Sequence, residues 1–263
     1  MRPQHAAVIL IVACGVTVRL AAAPTTQLVA VRHVQGTLHG FVVLRSLDGM
    51  TVADGDSIQT VRGEQVTTRT VFQFRDGSLY DETAVFSQRG AYRLLSYHLV
   101  QRGRTFDPPL TLDIDMARGH VIVHSAGDHG EDKVNDKRMT LPADLCNGIL
   151  VTLLQDIDSS RLPLTVSYLA TTPAPRLVKL VVTRAGSARF SIGNTQRTAT
   201  DYVIKTEIGG VAGLLAPLVG KQPPDAHVWI SDGEVPAFVK SEAPMSTDGP
   251  VLRTELTNPQ WPR

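Results

Sequence analysis

Several things are scarce in this sequence, and each scarcity excludes something. Cysteine occurs only at Cys14 and Cys146. If the first is lost with a leader, no internal disulfide can form. Cys146 then reads as a small buried apolar side chain on a helix rather than a reactive thiol. Aromatic residues make up 5% of the chain, which favours an aliphatic cleft over a sugar-stacking one. There is no excess of either charge: 26 Lys and Arg face 25 Asp and Glu, interspersed along the chain. Nucleic acid, which needs concentrated cationic side chains, is not an expected partner.

Catalytic signatures are also missing. No G-x-S-x-G elbow is present, and Ser78 and Ser187 follow glycines in turn settings. Gly209-Gly210 lacks the lysine and glycine spacing of a phosphate loop. Asp54-Gly55-Asp56-Ser57 opens like a calcium loop, but Gln59 and Gln65 stand where glycine and glutamate are required. The expectation is a non-enzymatic protein without a cofactor.

One long apolar run exists, at the N-terminus. Arg2 is followed by Ala6–Ala13, and Ala21-Ala22-Ala23 offers small residues for cleavage. This is the layout of an export signal, with residues 24–263 as one mature domain. The leader holds Arg2 and Arg19 and no acid, so its removal takes the formal charge from +1 to −1. Ile11-Val12-Ala13-Cys14-Gly15 also resembles a lipobox. Lipidation at Cys14 is the alternative fate of this stretch, and the only expected route to a membrane. The later apolar segments, Leu145–Leu154 and Val211–Val219, fall short of the roughly 20 residues a bilayer span requires. The expected location is periplasmic or extracellular, or a membrane-anchored lipoprotein if Cys14 carries a lipid.

What is present is turn chemistry at regular intervals. Asp48-Gly49, Asp54-Gly55, Arg62-Gly63, Asp76-Gly77, Arg89-Gly90, Arg118-Gly119, Ala185-Gly186, Gly193-Asn194 and Asp232-Gly233 punctuate β-branched and aromatic runs. The runs alternate with period two. Val66, Thr68, Thr70, Phe72 and Phe74 share a face, as do Leu110, Leu112, Ile114 and Met116, and Tyr202, Ile204, Thr206 and Ile208. Asp76-Gly77 joins two long strands, Gln65–Arg75 and Leu79–Gln88. Asp232-Gly233 joins His227–Ser231 to Glu234–Lys240. Pro142–Ile157 has helical spacing, with Leu145, Ile149, Leu153 and Ile157 on one stripe. Gly210–Val219 is a shorter helix candidate, and Ala126–Lys137 reads as a polar loop. The fold class is therefore mostly β: a long antiparallel meander curled into a half-barrel, its concave face covered by helices at about 142–157 and 210–219.

Two charged groupings invite a chemical reading. His120, His124 and His129 lie near Asp128, Glu131 and Asp132. On a strand the first two are about 13 Å apart, too far for one tetrahedral ion. Asp113 and Asp115 sit on an outer strand face and suit solubility better than a glycosidase pair.

The stretch from Gly213-Leu214-Leu215-Ala216-Pro217 to Trp229-Ile230-Ser231-Asp232-Gly233 and on to Lys240, within this layout, resembles the periplasmic lipoprotein-carrier half-barrel superfamily. It resembles still more a β-rich bacterial envelope family of the same architecture whose activity is uncharacterised. The resemblance implies a carrier whose apolar concave face holds acyl chains. Leu112, Ile114, Phe72 and Phe74 on the sheet, with Leu145, Ile149 and Leu153 on the covering helix, are the candidate ligand contacts, and a lipid or other hydrophobic small molecule the candidate partner. An assembly protein acting through a sheet edge is the alternative, followed by a hydrolase whose site is assembled in space around residues such as His120, His124 and Ser78.

Overall fold

The computed structural model describes residues 27–127, 131–172, 174–207 and 223–257; there, fourteen strands form one antiparallel sheet. The first eight are β1 (Leu38–Ser46), β2 (Thr51–Arg62), β3 (Gln65–Phe74), β4 (Leu79–Ser87), β5 (Arg93–Arg102), β6 (Leu110–Asp115), β7 (His120–Ala126) and β8 (Asp132–Arg138). After a connecting segment come β9 (Leu164–Ala170), β10 (Arg176–Ile192), β11 (Thr195–Glu207), β12 (Ala226–Ser231), β13 (Phe238–Pro244) and β14 (Val251–Thr257). Each run is a simple meander, and the two meet where β1 pairs with β14. The sheet's two edges are therefore β8 and β9, consecutive in the chain.

The segment 139–163 has to travel from one edge to the other, and it is fastened at both. The Met139 amide donates to the Gly119 carbonyl in the β6–β7 turn (2.8 Å). The Cys146 amide donates to Ser167 O on β9 (2.9 Å), and the Ser167 amide to Asp144 O (3.2 Å). Leu145, Ile149, Leu153 and Leu154 then share one buried cluster with Phe86, Tyr97, Ile114 and Val121 of the first run and with Val166, Val182, Ile204 and Val228 of the second. A single short segment can touch both runs only if the sheet curls around it. The result is the expected half-barrel, filled at one end by its own connector. No helix among the described residues is long and apolar enough to cross a membrane.

The expected helix over 142–157 is cut to seven residues, α1 (Leu150–Asp156). Its first half is diverted into strand-like bonding. Besides the Cys146 and Asp144 backbone contacts, the Asn147 side chain accepts from the Leu169 amide (2.9 Å) and donates to the Leu169 carbonyl (3.1 Å). Gly148, at φ +71, then turns the chain between Ala84 and Tyr97, where a Cβ would stand 2.8 Å from each. Hydrogen bonding to an open sheet edge outweighs helical periodicity here.

Other turn signals are also reassigned. Asp54-Gly55 lies inside β2: a Cβ on Gly55 would meet Phe72 Cδ1 at 2.8 Å and the Val71 carbonyl oxygen at 2.1 Å, so the glycine serves close approach. Ala185-Gly186 lies inside β10, at a register shift opposite β11. The β12–β13 hairpin is wider than expected, because Pro236 has no amide to give and closure moves to Ala237, which exchanges hydrogen bonds with Ser231. The polar stretch 126–137 contributes a strand, β8, whose outer side chains bond back to β7: His120 Nε2 to Asp136 Oδ1 (2.6 Å) and His124 Nδ1 to Asp132 Oδ2 (3.2 Å). The leader with Cys14, His129, Ile208 and the helix expected over 210–219 lie outside the described residues.

A ladder of alternating charge crosses the β1–β14 seam. Lys240 and Arg253 both reach Glu242 (3.1 and 2.9 Å), and Arg45 reaches Glu255 (3.2 Å). Lys240 also lies 3.9 Å from the ring centre of Trp229. Such half-exposed pairs contribute little singly but fix the register of the joint as a network.

Candidate functional site

The expected apolar contacts fall into two groups. Leu112, Ile114, Leu145, Ile149 and Leu153 are each no more than 4% exposed and meet in the plugged end. Phe72 and Phe74 belong to a second cluster at the other end of the concave face, with Val42, Leu44, Ala53, Phe106 and Leu252. Beside Leu145, Ile149 and Leu153 a void of about 10 Å³ remains. That holds at most one water molecule.

Between the clusters the inner face turns polar. Strand pairing sets Gly40, Ser57, Thr70, Glu82, Leu99 and Leu112 in one row across β1 to β6. Directly paired residues share a face, and β4 alternates so that Tyr80, Glu82, Ala84 and Phe86 all point inward. Ala84 and Phe86 are fully buried under the connector, whereas Tyr80 and Glu82 keep partial exposure. Glu82 is therefore an acid in an apolar register, at the point where the plug ends.

Three tyrosines converge on it. The Tyr97 hydroxyl donates to Glu82 Oε1 at 2.7 Å. Tyr80, on the same strand, packs against both apolar clusters, with its ring 6.2 Å from that of Phe72. Tyr168 approaches from β9, in the other run of strands, closely enough for the carboxylate's charge to act on its phenol. Burial pushes the Glu82 carboxyl above its ordinary value, against the pull of the Tyr97 and Tyr80 hydroxyls. The Tyr80 and Tyr97 phenols are raised well above theirs, first by burial and then by the Glu82 charge. Ser57 and Thr70 hydroxyls bond each other at 3.2 Å alongside, and Gly148 of the connector passes over Tyr97. Burial disfavours the charged form of this carboxyl, and among aromatic walls it offers an acceptor in a site of low polarity.

Two other polar groups are built as fastenings. Asp156, with its side chain wholly buried, accepts from the Arg32 amide (2.9 Å), the His33 amide (3.1 Å), His33 Nδ1 (2.7 Å) and the Tyr92 hydroxyl (2.6 Å). It ties the segment before β1 to the end of α1. At the β9 edge, Lys179 Nζ donates to Ser167 Oγ (2.8 Å), which donates to Asp144 Oδ1 (2.7 Å). The residue types resemble a Ser–Lys nucleophile pair, but Ser167 is 2% exposed and its proton points to the carboxylate. Neighbouring Cys146 is fully buried, and burial followed by the Asp144 charge pushes its thiol far up. Ser78 is a turn staple, accepting from the Thr105 amide at 2.9 Å. His120, His124 and Asp113 are spent on cross-strand pairs, the last with His98 at 2.7 Å, and Asp115 caps the β6–β7 turn through Arg118. Among the described residues no group of three or more His, Cys, Asp or Glu is arranged to hold a metal.

The Glu82 site was not anticipated from the sequence. The signal was nonetheless there: Leu79–Gln88 reads as a strand, and one carboxylate stands among Tyr80, Ala84 and Phe86 on its apolar face.

No family model matches the chain, and no curated protein does. Among solved structures, one with a similar course of the chain is the crystal structure of a β-barrel-like protein of a domain of unknown function, DUF1849, from Brucella abortus. It is 10% identical, with a TM-score of 0.47 over 86% of this chain and 98% of that one.

Proposed function

We propose that the protein is an exported, non-enzymatic binding or carrier protein of the bacterial envelope, and that its ligand is amphipathic. The observation that carries this reading is Glu82. This inward carboxyl, its pKa raised by burial, accepts from Tyr97 and lies close to Tyr80 and Tyr168. Polar groups kept on an otherwise apolar inner face, with partial access to solvent, fit the recognition of one polar head. The head would carry a hydroxyl or amine that bonds Glu82, and the apolar part would lie along the Phe72 and Phe74 side. The leader supports export, and the layout's resemblance to lipoprotein carriers supports a hydrophobic component in the ligand. A purely apolar chain behind the connector is the weaker form of the idea, since only about 10 Å³ is free beside Leu145, Ile149 and Leu153.

Native mass spectrometry of the protein purified from its own envelope tests the reading. A discrete adduct of amphiphile mass, released by organic solvent, supports it. A uniformly empty protein that also takes up no fatty acid, fatty amine or phospholipid overturns it.

A further inference from the structure

The hairpin of β10 and β11 outgrows the sheet. The last β9 partner of β10 is Val182, and the last β12 partner of β11 is Ala199. Beyond Val182, β10 pairs with β11 alone, and from Arg189 to Thr198 the two strands form a ribbon of their own, fastened at its base by the Asp232 amide on the Thr198 carbonyl and ending in a turn at Gly193-Asn194 with Gly193 at φ +55. At about 3.4 Å per residue the tip stands roughly 15 Å beyond the last row that includes β12. A bare two-stranded ribbon is at best marginal in water, and nothing lies within 4 Å of an added Cβ at Gly186 or Gly193.

The ribbon's chemistry is one-sided. From Ser159 to Thr200 the chain has no Asp or Glu but six cations: Arg161, Arg176, Lys179, Arg184, Arg189 and Arg197. Three of these, Arg184, Arg189 and Arg197, are on the β10–β11 hairpin beyond β9, and all three are exposed. Arg189, Gln196, Arg197 and Thr198 line an open groove of about 290 Å³, with Asp232 at its base held by the Thr200 hydroxyl (2.9 Å). Ile192 at the tip is 67% exposed, and Phe190, directly opposite Arg197, is half-buried.

We propose that this ribbon docks on an anionic phospholipid surface. The arginines meet headgroup phosphates and the apolar tip enters the interface. Charge complementarity carries the choice: an arm whose outer part holds arginines and no acid, with Asp201 and Asp232 only at its base, suits an anionic lattice, and the Ile192 and Phe190 tip suits its apolar margin. A nucleic acid would use the arginines but would gain nothing from the exposed isoleucine. The contact needs no lipid on Cys14, in contrast to the expectation drawn from the leader, and it does not rest on the Glu82 reading.

Sedimentation of the leaderless protein with phosphatidylcholine vesicles, with and without phosphatidylglycerol, tests it. Binding is expected only with the anionic lipid and should weaken with salt. The variant R189Q/R197Q is expected to bind about thirtyfold more weakly, near fivefold per arginine. I192S should bind several-fold more weakly with its salt dependence intact. Circular dichroism of each variant should match the parent, because the ribbon lies outside the core. Equal binding to both vesicle types, no binding, or binding unmoved by R189Q/R197Q overturns the proposal and leaves the arginines as guards of exposed strand edges.

Discussion

Replacing Asp156 by alanine should loosen the plugged end by a predictable amount. The carboxylate ends α1, where the helix dipole is unfavourable for a negative charge, and its side chain is 0% exposed. It is tolerated because two amides, an imidazole nitrogen and a phenol all point at it. D156A removes every one of these contacts. The Tyr92 hydroxyl keeps a partner in the His33 carbonyl (3.0 Å), and the half-exposed amides of Arg32 and His33 can turn to water. The loss is then that of a buried, multiply bonded charge, about 3–5 kcal/mol. For a chain of this size that lowers the melting temperature by roughly 10 °C. D156N keeps the shape and one acceptor but sets an amide group against donors, and should cost about half as much. Urea unfolding and thermal melts measure both, and limited proteolysis should cut the segment before β1 faster in D156A. Melting temperatures within about 1 °C of the parent for both variants would mean that these contacts do not hold the plugged end together.

Glu82 should make stability fall with pH. Because burial raises its pKa in the folded state, the folded protein holds that proton more tightly than the unfolded chain. This favours folding at low pH and is lost as pH climbs from the ordinary glutamate value, 4.5, through the folded one. E82Q should erase the dependence and be more stable than the parent at pH 8, as urea midpoints across that range will show. G148A should cost about 3 kcal/mol in the same assay, combining a positive φ with a Cβ only 2.8 Å from Ala84 and Tyr97. Cys146 should resist a thiol reagent in native protein and react at once in urea, since its thiol is buried and its pKa raised; mass analysis of the labelled protein reads this directly.

Strand alternation was legible because it depends on local pattern alone. The faces of Val66–Phe74, Leu110–Met116 and Tyr202–Thr206 are those the sequence implies. Glycine was the misleading letter. At Gly77 it makes a turn with φ +84, at Gly55 it makes room for Phe72, and at Gly186 it accompanies a bulge, and the dipeptides look alike. The shortening of the helix could not be read from its stripe. It depends on the edge of β9, a partner brought alongside only by the fold. The seam between β1 and β14 joins residues about two hundred positions apart, and no local signal announces it. Glu82 was legible as an inward acid, but not the company of Tyr168, which comes from the other run of strands.

If Glu82 marks the ligand site, the fraction of protein carrying ligand falls in E82Q. Parent and E82Q protein, prepared side by side from the same envelope, should show by native mass spectrometry an adduct in the parent and little or none in the variant, with both folded to the same melting profile or the variant more stable. The same adduct at the same occupancy in both would move the site away from the Glu82 row.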